Sequence, residues 1–473
     1  MTTYYLAIDI GASSGRHMIC HLEDGKMVLE EIHRFHNGNV MKDGELVWNV
    51  DALFEEVIFG MQKCKEAGKI PVSVGIDTWA VDFVLLDGKN KRVGNAVGYR
   101  DSGTNGMDEE VYRFILQKEL YQRTGIQKQV FNTIYQLMTW KKKKEELFSR
   151  AQTMLMIPDY LHYRLSGKMA TEYTNATSTQ LVSPITKDWD WELIDTLGFS
   201  RKLFQNLKLP GTCLGGLTKE VQNRVGFDCK VVLPATHDTA SAVMAIPVKK
   251  GLENKDIIYI SSGTWSLMGT ELLSANCSRE SELFNMTNEG GYDYRFRYLK
   301  NIMGLWMIQS VKKEIGQDKS FGEICEMAAK ENISSLVDAN DSRFLAPSSM
   351  TREIQAACQE SRQQVPETLA EVACVVYRSL AHCYGKTIKE IEQLTGKRFD
   401  GIHIVGGGAN AEYLNQLTSK ITGLPVYAGP TEATAIGNLC AQMIADGKLK
   451  DLWDARNCIY DSFDIKTYWR ELQ

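Results

Sequence analysis

The chain has 473 residues, of which 44% are hydrophobic and 24% charged, and its formal net charge is −5. This length predicts two or three domains rather than one core. The mildly acidic balance gives no support to nucleic acid or an anionic membrane surface as a partner. No apolar stretch reaches the roughly 20 residues of a membrane span, and the N-terminus does not look like a signal peptide. The eleven cysteines include no C-x-x-C pair, which predicts reduced thiols in a cytoplasmic protein.

The first elements along the chain alternate between strands and helices. Residues 4–36 predict a three-stranded meander, in which the strand YYLAIDIG contains Asp9 near its end and the turn GASSGR leads into the next strand. Residues 51–67 predict a helix, and residues 107–165 predict a largely helical region with interruptions near Gly125 and Pro158. This mixture of strands and long helices indicates an α/β class.

The stretch GIDTWAVDFVLLD at residues 75–87 predicts a strand. Its alternation would place Thr78, Ala80 and Asp82 on one face. A face with small and acidic side chains suits the recognition of a polyol, and a plain edge strand is the alternative.

The second half repeats the opening pattern without repeating its letters. After a charged, turn-rich candidate linker at residues 246–256, DIIYISSGTWSLMGTEL predicts a strand, a small polar turn and a second strand. Residues 305–396 are predicted to be mostly helical. GIHIVGGGANAEYLNQL then predicts a strand, a glycine loop and a helix. The repeat suggests two related halves.

The opening turn is a candidate anion site. Hydroxyl groups, backbone N–H groups and Arg16 can surround a phosphate there, and Gly15 permits a tight hairpin. Asp9 beside such an anion would be repelled unless Mg²⁺ lies between them. A plain β-hairpin is the alternative, although the second Ser-Ser-Gly-Thr turn in the other half favours a polyphosphate site that transfers a phosphoryl group.

A third candidate is PATHDTASAVMA, which places three polar residues before a run of small ones. Asp238 fits a general base, since a helix N-terminus is expected to lower its pKa and keep it ionised. His237 and Thr239 could orient an acceptor hydroxyl, and the small residues that follow allow close helix packing. Ordinary helix capping is the alternative.

Gly406, Gly408 and Ala411 fit the G-x-G-x-x-A pattern of a dinucleotide loop after a strand. The loop comes late in the chain and the acidic residue expected about 20 positions on is poorly placed. A nucleotide is therefore favoured here over NAD specifically.

Ten segments in chain order, between about residue 5 and residue 445, together resemble the FGGY carbohydrate kinases. They are D-x-G with ASSGR, GIDTWAVDFVLLD, NAVGYRD, MIPDYLHYRLSGK, TEYTNATSTQLV, PATHDTASAV, YISSGTWSL, LKNIMGLW, HIVGGGAN and GPTEATAIGN. The resemblance implies an α/β, two-domain, actin-like and ribonuclease-H-like fold. It implies a sugar-binding domain at residues 1–245, a nucleotide-binding domain at 246–473 and a catalytic cleft between them.

The resemblance also implies roles for single residues. Asp238 would be the catalytic base, and Asp9 would help to position Mg²⁺. The ketose would be contacted by Ala80, His237, Thr239 and Asn301. ATP would be held by Ala12, Ser13, Ser14, Gly15, Arg16, Thr264, Gln309 and Gly407. Two departures from the family pattern bear on sugar fit, since relatives commonly have Gly in place of Ala80 and Arg in place of Gly103.

The activity that the resemblance implies is transfer of the γ-phosphoryl group of MgATP to the 1-hydroxyl of a small ketose, L-rhamnulose in the first instance. Xylulose, ribulose and fuculose are the nearest alternatives. An actin-like chaperone or sugar sensor and an NAD enzyme are alternatives from other classes.

Overall fold

The computed structural model describes residues 2–253 and 255–469. The chain forms two compact units. Unit 1 comprises Met1–Ala245, Glu271–Tyr298 and Thr434–Ser462, and unit 2 comprises Ile246–Thr270, Leu299–Ala433 and Phe463–Gln473. Unit 1 thus includes two segments from beyond residue 245. The domain boundary inferred from the resemblance stays a prediction.

The strands up to residue 245 are β1 (Tyr4–Ile10), β2 (Ser14–Glu23), β3 (Lys26–His36), β4 (Asn39–Lys42), β5 (Glu45–Trp48), β6 (Pro71–Thr78), β7 (Phe83–Leu86), β8 (Ala96–Val97), β9 (Thr153–Met156), β10 (Thr171–Glu172), β11 (Val182–Ser183), β12 (Asp188–Trp189), β13 (Leu207–Lys208), β14 (Cys213–Gly216) and β15 (Lys230–Val232). The helices are α1 (Val50–Glu66), α2 (Met107–Tyr112), α3 (Gln117–Thr124), α4 (Thr133–Lys143), α5 (Glu145–Ser149), α6 (Ile157–Ser166), α7 (Tyr173–Thr177), α8 (Trp191–Thr196), α9 (Lys219–Val225) and α10 (Asp238–Met244).

The later strands are β16 (Ile257–Ser262), β17 (Trp265–Leu272), β18 (Thr287–Gly290), β19 (Phe296–Met303), β20 (Gly401–Val405), β21 (Val426–Ala428) and β22 (Lys466–Tyr468). The later helices are α11 (Arg279–Leu283), α12 (Trp306–Ile315), α13 (Phe321–Ala329), α14 (Met350–Glu360), α15 (Leu369–Thr395), α16 (Glu412–Thr422), α17 (Ala433–Ala445) and α18 (Leu452–Ser462).

The main sheet of unit 1 has the strand order β14-β15-β6-β1-β2-β3. Strands β1, β2 and β3 form the antiparallel meander, while β6 and β15 run parallel to β1. In unit 2, strands β19, β17, β16, β20 and β21 follow one another, with β16 antiparallel to β17 and parallel to β20. The suggested relation between the two halves therefore extends from their sequence pattern to their strand order.

The two faces of the unit 1 sheet differ in chemistry because side chains alternate along a strand. Leu6, Ile8, Val74 and Ile76 belong to an apolar core with side chains of α1 and α6. On the opposite face, the Ser73 hydroxyl of β6 donates to Gln442 Oε1 of α17 at 2.6 Å, and Asn438 Nδ2 of α17 donates to the Gly75 carbonyl of β6 at 3.1 Å. The face toward α17 is thus polar, and the aspartates near the strand ends lie on it.

The sequence predicted most of these elements. The meander, the helix at residues 51–67, the hairpin around the second Ser-Gly-Thr turn and the late strand, loop and helix are all confirmed. The prediction for residues 107–165 is confirmed, since they are largely helical and the interruptions lie after Gly125 and at strand β9, which ends two residues before Pro158. Gly125 ends α3 in a left-handed conformation, whereas Pro158 lies in the first turn of α6, where proline is tolerated.

Neither a disulfide nor a membrane-spanning helix occurs in the described part of the chain. All eleven cysteines lie there and none is in a disulfide, as expected for reduced thiols. In the same residues, no helix combines the length and apolar character needed to cross a membrane.

Helix α10 packs against α17 at a glycine. A Cβ added at Gly437 would lie 1.9 Å from the carbonyl oxygen of Ser241 in α10, which is backbone and cannot move aside cheaply. The small residues after Asp238 were predicted to allow such close packing. The contact with Gly437 shows it on the side of α10 that faces α17.

We expect Gly437→Ala to lower the free energy of unfolding by about 3 kcal/mol, because the extra methyl overpacks two helices. Urea denaturation would measure the change. Gly38→Ala is the matched control, since no atom lies within 4 Å of its added Cβ and its backbone φ is not positive. Equal stability of the two variants would contradict the close packing of α10 on α17.

Candidate active site

Three aspartates lie at or just beyond the carboxyl ends of neighbouring parallel segments in unit 1. Asp9 in β1 and Asp77 in β6 are directly opposite each other in the ladder. The backbone N–H of Thr78 donates to the carbonyl of Thr236 at 2.9 Å, which carries the parallel pairing past β15. Asp238 therefore begins α10 beside the other two carboxyl groups. Strand ends at one edge of a parallel sheet are a common place for ligand sites.

Asp9 is paired with the arginine of the opening turn. Arg16 Nε donates to Asp9 Oδ2 at 3.0 Å, and Nη2 lies 2.9 Å from the same oxygen. The turn itself is closed by the N–H of Gly11, which donates to the carbonyl of Ser14 at 2.9 Å. Ser13 is exposed at its tip. The cation predicted to neutralise phosphate is thus held by the carboxylate predicted to position Mg²⁺.

Gly15 has a different role from the one predicted. Its φ is not positive, so the hairpin does not need a glycine for its backbone. A Cβ at this position would lie 2.1 Å from the ring of Phe35 in β3. The glycine is required because an aromatic ring packs directly on the backbone here.

Asp77 was not identified from the sequence. Its side chain is fully buried, and Oδ2 accepts a hydrogen bond from Asn438 Nδ2 at 2.6 Å while Oδ1 has no partner. Burial and the nearby charge of Asp9 raise the pKa of Asp77 well above its usual value. A cation at this edge of the sheet would relieve both effects.

Asp238 is partly open to solvent, with 32% of its side chain exposed. Burial and the charge of Asp9 raise its pKa to about 6. The expectation that the helix N-terminus lowers this pKa is therefore wrong, because desolvation and a like charge outweigh the favourable end of a helix of one to two turns. Thr239 donates to Asp238 Oδ1 from its N–H at 2.5 Å and from its hydroxyl at 3.1 Å, which fixes that oxygen.

His237 is buried within a group of charged side chains. Its Nδ1 lies 2.9 Å from Arg297 Nη2 and 3.4 Å from Glu289 Oε2, and its Nε2 lies 3.5 Å from Asp238 Oδ1. Burial and then the charge of Arg297 lower the pKa of His237 well below its usual value. The ring is neutral, and it connects the buried Arg297–Glu289 ion pair to Asp238.

The carboxylate of Glu172 forms hydrogen bonds with the segment that precedes His237. Its Oε2 accepts from the N–H of Thr236 at 2.9 Å and from the Thr236 hydroxyl at 2.8 Å. The same carboxylate caps α7 by accepting from the N–H of Thr174 at 2.8 Å. Because Glu172 is fully buried, these bonds tie the start of α10 rigidly to α7.

Ala80 lies in a turn rather than in the strand predicted for residues 75–87. Strand β6 ends at Thr78, and Val81 has a φ of 66°, which is costly for a β-branched residue. The turn is held by the Thr133 hydroxyl, which donates to the Val81 carbonyl at 2.6 Å. Thr78, Ala80 and Asp82 therefore do not share a strand face.

Asp82 holds this turn from inside the unit. Its carboxylate accepts hydrogen bonds from Trp48 Nε1 at 2.6 Å, Trp79 Nε1 at 2.9 Å, Gln136 Nε2 at 2.8 Å and the Tyr99 N–H at 3.0 Å. Burial raises its pKa to about 6, against the lowering effect of these donors. Asp82 is thus an anchor for aromatic side chains next to Ala80 and does not itself face a polyol.

Four of the predicted residues belong to unit 2. Thr264 is exposed in the turn between β16 and β17, and its carbonyl accepts from the Trp306 N–H at 3.0 Å. Gln309 lies in α12 and Asn301 in β19. Gly407 is exposed and begins the short turn after β20.

The glycine loop and the serine turn of unit 2 pack closely. Gly406 has a φ of 84°, and a Cβ at Gly408 would lie 2.0 Å from Ser262 Oγ. A Cβ at Gly407 would meet no atom within 4 Å. Gly406 and Gly408 are therefore explained by backbone conformation and packing, while Gly407 leaves open backbone at the surface of this unit.

Unit 1 brings together Asp9, Arg16, His237, Asp238 and Thr239 through the contacts above. Ala12 and Ser13 lie in the turn between β1 and β2, and Ser14, Gly15 and Arg16 are the first residues of β2. Sequence reasoning missed Asp77, although it stands in GIDTW, and its position one residue before the end of a buried strand was a usable signal. It also missed the pair Glu289 and Arg297, for which the sequence offers no comparable signal.

Comparisons with known proteins show the family of the chain. Residues 4–245 match the N-terminal domain, and residues 258–445 the C-terminal domain, of the FGGY family of carbohydrate kinases. A rhamnulokinase of Halalkalibacterium halodurans is 52% identical over 465 residues, covering 98% of each chain. A rhamnulokinase of Bacillus subtilis is 45% identical, covering 98% of this chain and 95% of that one. The resemblance described from the sequence is confirmed.

Solved structures show the same fold at much lower identity. A ligand-bound xylulose kinase of Lactobacillus acidophilus gives a TM-score of 0.78 at 17% identity, covering 99% of this chain and 94% of that one. A Plasmodium falciparum glycerol kinase with ADP gives 0.75 at 14% identity, covering 98% and 94%. The predicted α/β, two-domain fold class is confirmed.

We expect Asp82→Asn to lower the free energy of unfolding by about 2 kcal/mol, because its amide N–H₂ would face hydrogen-bond donors in a buried position. Urea denaturation at neutral pH would measure it. Asp87→Asn is the control, since Asp87 accepts only from two backbone N–H groups in an exposed turn and should give a smaller change. A larger loss for Asp87→Asn would contradict the anchoring role.

Proposed function

We propose that this chain, which belongs to the FGGY family of carbohydrate kinases, transfers the γ-phosphoryl group of ATP to the 1-hydroxyl of L-rhamnulose. Six relatives with 39–52% identity over nearly their whole length are rhamnulokinases, which supports this sugar over other ketoses. The family implies ATP as the phosphoryl donor. The cytoplasmic location stays a prediction.

The observation that carries the proposal is the position of Asp238. A partly exposed carboxylate with a pKa near 6 begins a helix beside two further carboxyl groups. Such a group is mostly ionised at neutral pH and is basic enough to accept a proton from an alcohol as that alcohol attacks phosphorus. In phosphoryl transfer this base acts together with positioning and charge neutralisation.

The sugar contacts proposed in unit 1 are His237, Thr239 and Ala80. Thr239 fixes one oxygen of Asp238, which leaves the other oxygen for the substrate hydroxyl. The turn that contains Ala80 is joined to Tyr99 through Asp82, whose Oδ2 accepts from the Tyr99 N–H at 3.0 Å. Asn301 of unit 2 is proposed as a further sugar contact, and its Oδ1 is buried without a partner.

Phosphate contacts are proposed in both units. In unit 1 they are Ala12, Ser13, Ser14, Gly15 and Arg16, in the turn between β1 and β2 and at the start of β2. In unit 2 they are Thr264 in the turn between β16 and β17, Gln309 in α12 and Gly407 after β20. The exposed tips of both turns and the open backbone at Gly407 support this assignment. Backbone N–H groups in such turns bind anions without adding charge.

The residues of unit 1 fit Mg²⁺. Asp77 has a buried carboxylate oxygen without a partner, next to Asp9, and carboxylates are ligands that Mg²⁺ accepts alongside water and phosphate. Within the described residues, no group of three or more His, Cys, Asp or Glu could hold a metal by itself. We propose Asp9 and Asp77 as the residues that would hold the ion, which when bound would neutralise phosphate charge.

We expect kcat/KM for L-rhamnulose to exceed that for xylulose and ribulose by about 10-fold or more, since a single missing carbon in a fitted pocket costs about 10- to 200-fold. Fuculose has the same number of carbons and differs in configuration, and we expect a lower kcat/KM for it as well. Coupled release of ADP at fixed ATP would measure each sugar. A higher value for one of the other ketoses would assign the chain to that substrate. Release of ADP that is indifferent to sugar would favour the chaperone or sensor alternative.

Asp238→Asn tests the base itself. We expect kcat to fall at least about 100-fold, because general base catalysis contributes about that much or more, while ATP binding measured by calorimetry stays close to the original value. Near-normal turnover in this variant would show that another group accepts the proton.

We expect kcat/KM for the sugar to fall as pH is lowered through about 6, because the raised pKa of Asp238 means that the base is protonated below this pH and ionised above it. Initial rates between pH 4.5 and 8.5 at saturating MgATP would measure this. The acid limb should move in Asp238→Glu, whose carboxyl group has a different pKa. An unmoved limb would assign the titration to ATP or to another residue.

A further inference from the structure

Arg297 and Glu289 lie behind His237, on the side away from Asp238. Arg297 is completely buried and its Nη2 is 3.0 Å from Glu289 Oε2. Its Nε donates to the carbonyl of Gly290 at 3.0 Å, which fixes the plane of the guanidinium group. The remaining close contact of Nη2 is His237 Nδ1 at 2.9 Å.

This contact determines where the histidine carries its proton. A guanidinium group has only donors and stays protonated in proteins, so Arg297 Nη2 donates and Nδ1 accepts. A neutral imidazole with an accepting Nδ1 has its proton on Nε2. A doubly protonated ring would place an N–H against a cation at 2.9 Å, which a buried site does not tolerate.

Glu289 has two effects on this arrangement. It balances the charge of Arg297, which could not otherwise be buried. It also lies 3.4 Å from Nδ1, and without Arg297 it would attract a proton to that nitrogen. Arg297 therefore determines which ring nitrogen carries the proton. With the arginine present it is Nε2, and without the arginine it would be Nδ1.

The Nε2–H state suits the reaction. Nε2 lies 3.5 Å from Asp238 Oδ1, longer than an ordinary hydrogen bond, so its N–H is available to an oxygen that binds beside the base. A donor there can bind the acceptor hydroxyl oxygen while Asp238 accepts the proton of that hydroxyl. If Nε2 were an acceptor, it would compete with Asp238 for the proton of the hydroxyl. If the ring were an imidazolium, its charge would neutralise that of the base.

We propose that Arg297, charge-balanced by Glu289, is a positioning residue that holds His237 as the neutral Nε2–H tautomer, so that His237 donates to the sugar oxygen that Asp238 deprotonates. This inference rests on the proposed kinase function, but its primary test does not measure activity. Arg297 touches neither substrate nor reacting atoms in this scheme.

The groups that face His237 decide how it titrates. On its own segment Asp238 favours a charged ring, and Glu289 of β18 does the same. Arg297 of β19 opposes both. Glu172 of β10 acts on the neighbouring Thr236 through its N–H and hydroxyl.

The tautomer can be read directly by ¹⁵N NMR of the full chain labelled at histidine, with the His237 signals identified by their loss in His237→Asn. Two-bond ¹H–¹⁵N correlations distinguish Nε2–H, Nδ1–H and imidazolium. We expect Nε2–H at pH 6 to 8. The Nδ1–H form or imidazolium in the unmodified protein would overturn the proposal without recourse to any variant.

Arg297→Met then removes the donor. We expect the ring to gain a proton on Nδ1 or to become imidazolium between Glu289 and Asp238, and kcat/KM for L-rhamnulose to fall about 10- to 100-fold at unchanged KM for ATP. Arg297→Lys keeps a cationic donor and should restore part of both the tautomer and the activity. An unchanged tautomer in folded Arg297→Met would overturn the proposal.

Arg456→Met is the matched control. Arg456 is equally buried, pairs with Glu271 at 2.8 Å and donates to the carbonyl of Val243 near the end of α10. Arg456→Met should lower the free energy of unfolding by an amount comparable to that for Arg297→Met, without changing the NMR signals of His237. The same change of signals in this control would mean that displacement of α10, rather than Arg297, sets the tautomer. If instead Asp238→Asn keeps normal turnover while the tautomer is as expected, the proposed base is wrong and the arginine contact stands.

Discussion

Repulsion between carboxylates at one edge of a sheet is the constraint around which unit 1 is built. Strands β1 and β6 run in register, so Asp9 and Asp77 must be neighbours, and the segment after β15 adds Asp238. Burial makes their negative charges more costly, which is why the pKa values of Asp77 and Asp238 are raised. Arg16 and Asn438 offset part of this cost.

The same constraint explains why so many buried polar groups surround the start of α10. Asp238 must stay beside groups that repel it, and the fold holds it there through bonds to its neighbours in the chain. Glu172 binds the backbone and hydroxyl of Thr236, and Arg297 binds the ring of His237. Each is a charge in a buried position with hydrogen-bond partners, so removing either would leave unpaired polar groups.

The sequence was sufficient wherever the signal was local. Alternating strands, the helix at residues 51–67 and ten ordered motifs led to the fold class and to Asp238. The turn after Thr78 was missed because Val81 adopts a positive φ without being glycine, and only contacts from α4 and α7 make this possible. The pair Glu289 and Arg297 was missed because it lies more than 50 residues from His237 in the chain.

The direction of the Asp238 pKa was also beyond local reasoning. A helix N-terminus is visible in a sequence, whereas the burial of Asp238 and the nearby charge of Asp9, which lies far away in the chain, are not. Motifs therefore identified most residues of the candidate site, whereas packing determines the pKa values of those residues.

Unit 1 is completed by a late part of the chain. Asn438 binds the carboxylate of Asp77, and Gly437 lets α17 lie against α10. During synthesis on the ribosome, residues 1–245 emerge long before residues 434–462. The earlier segments therefore stay incompletely packed, with the polar face of their sheet uncovered, until residues 434–462 have been synthesised.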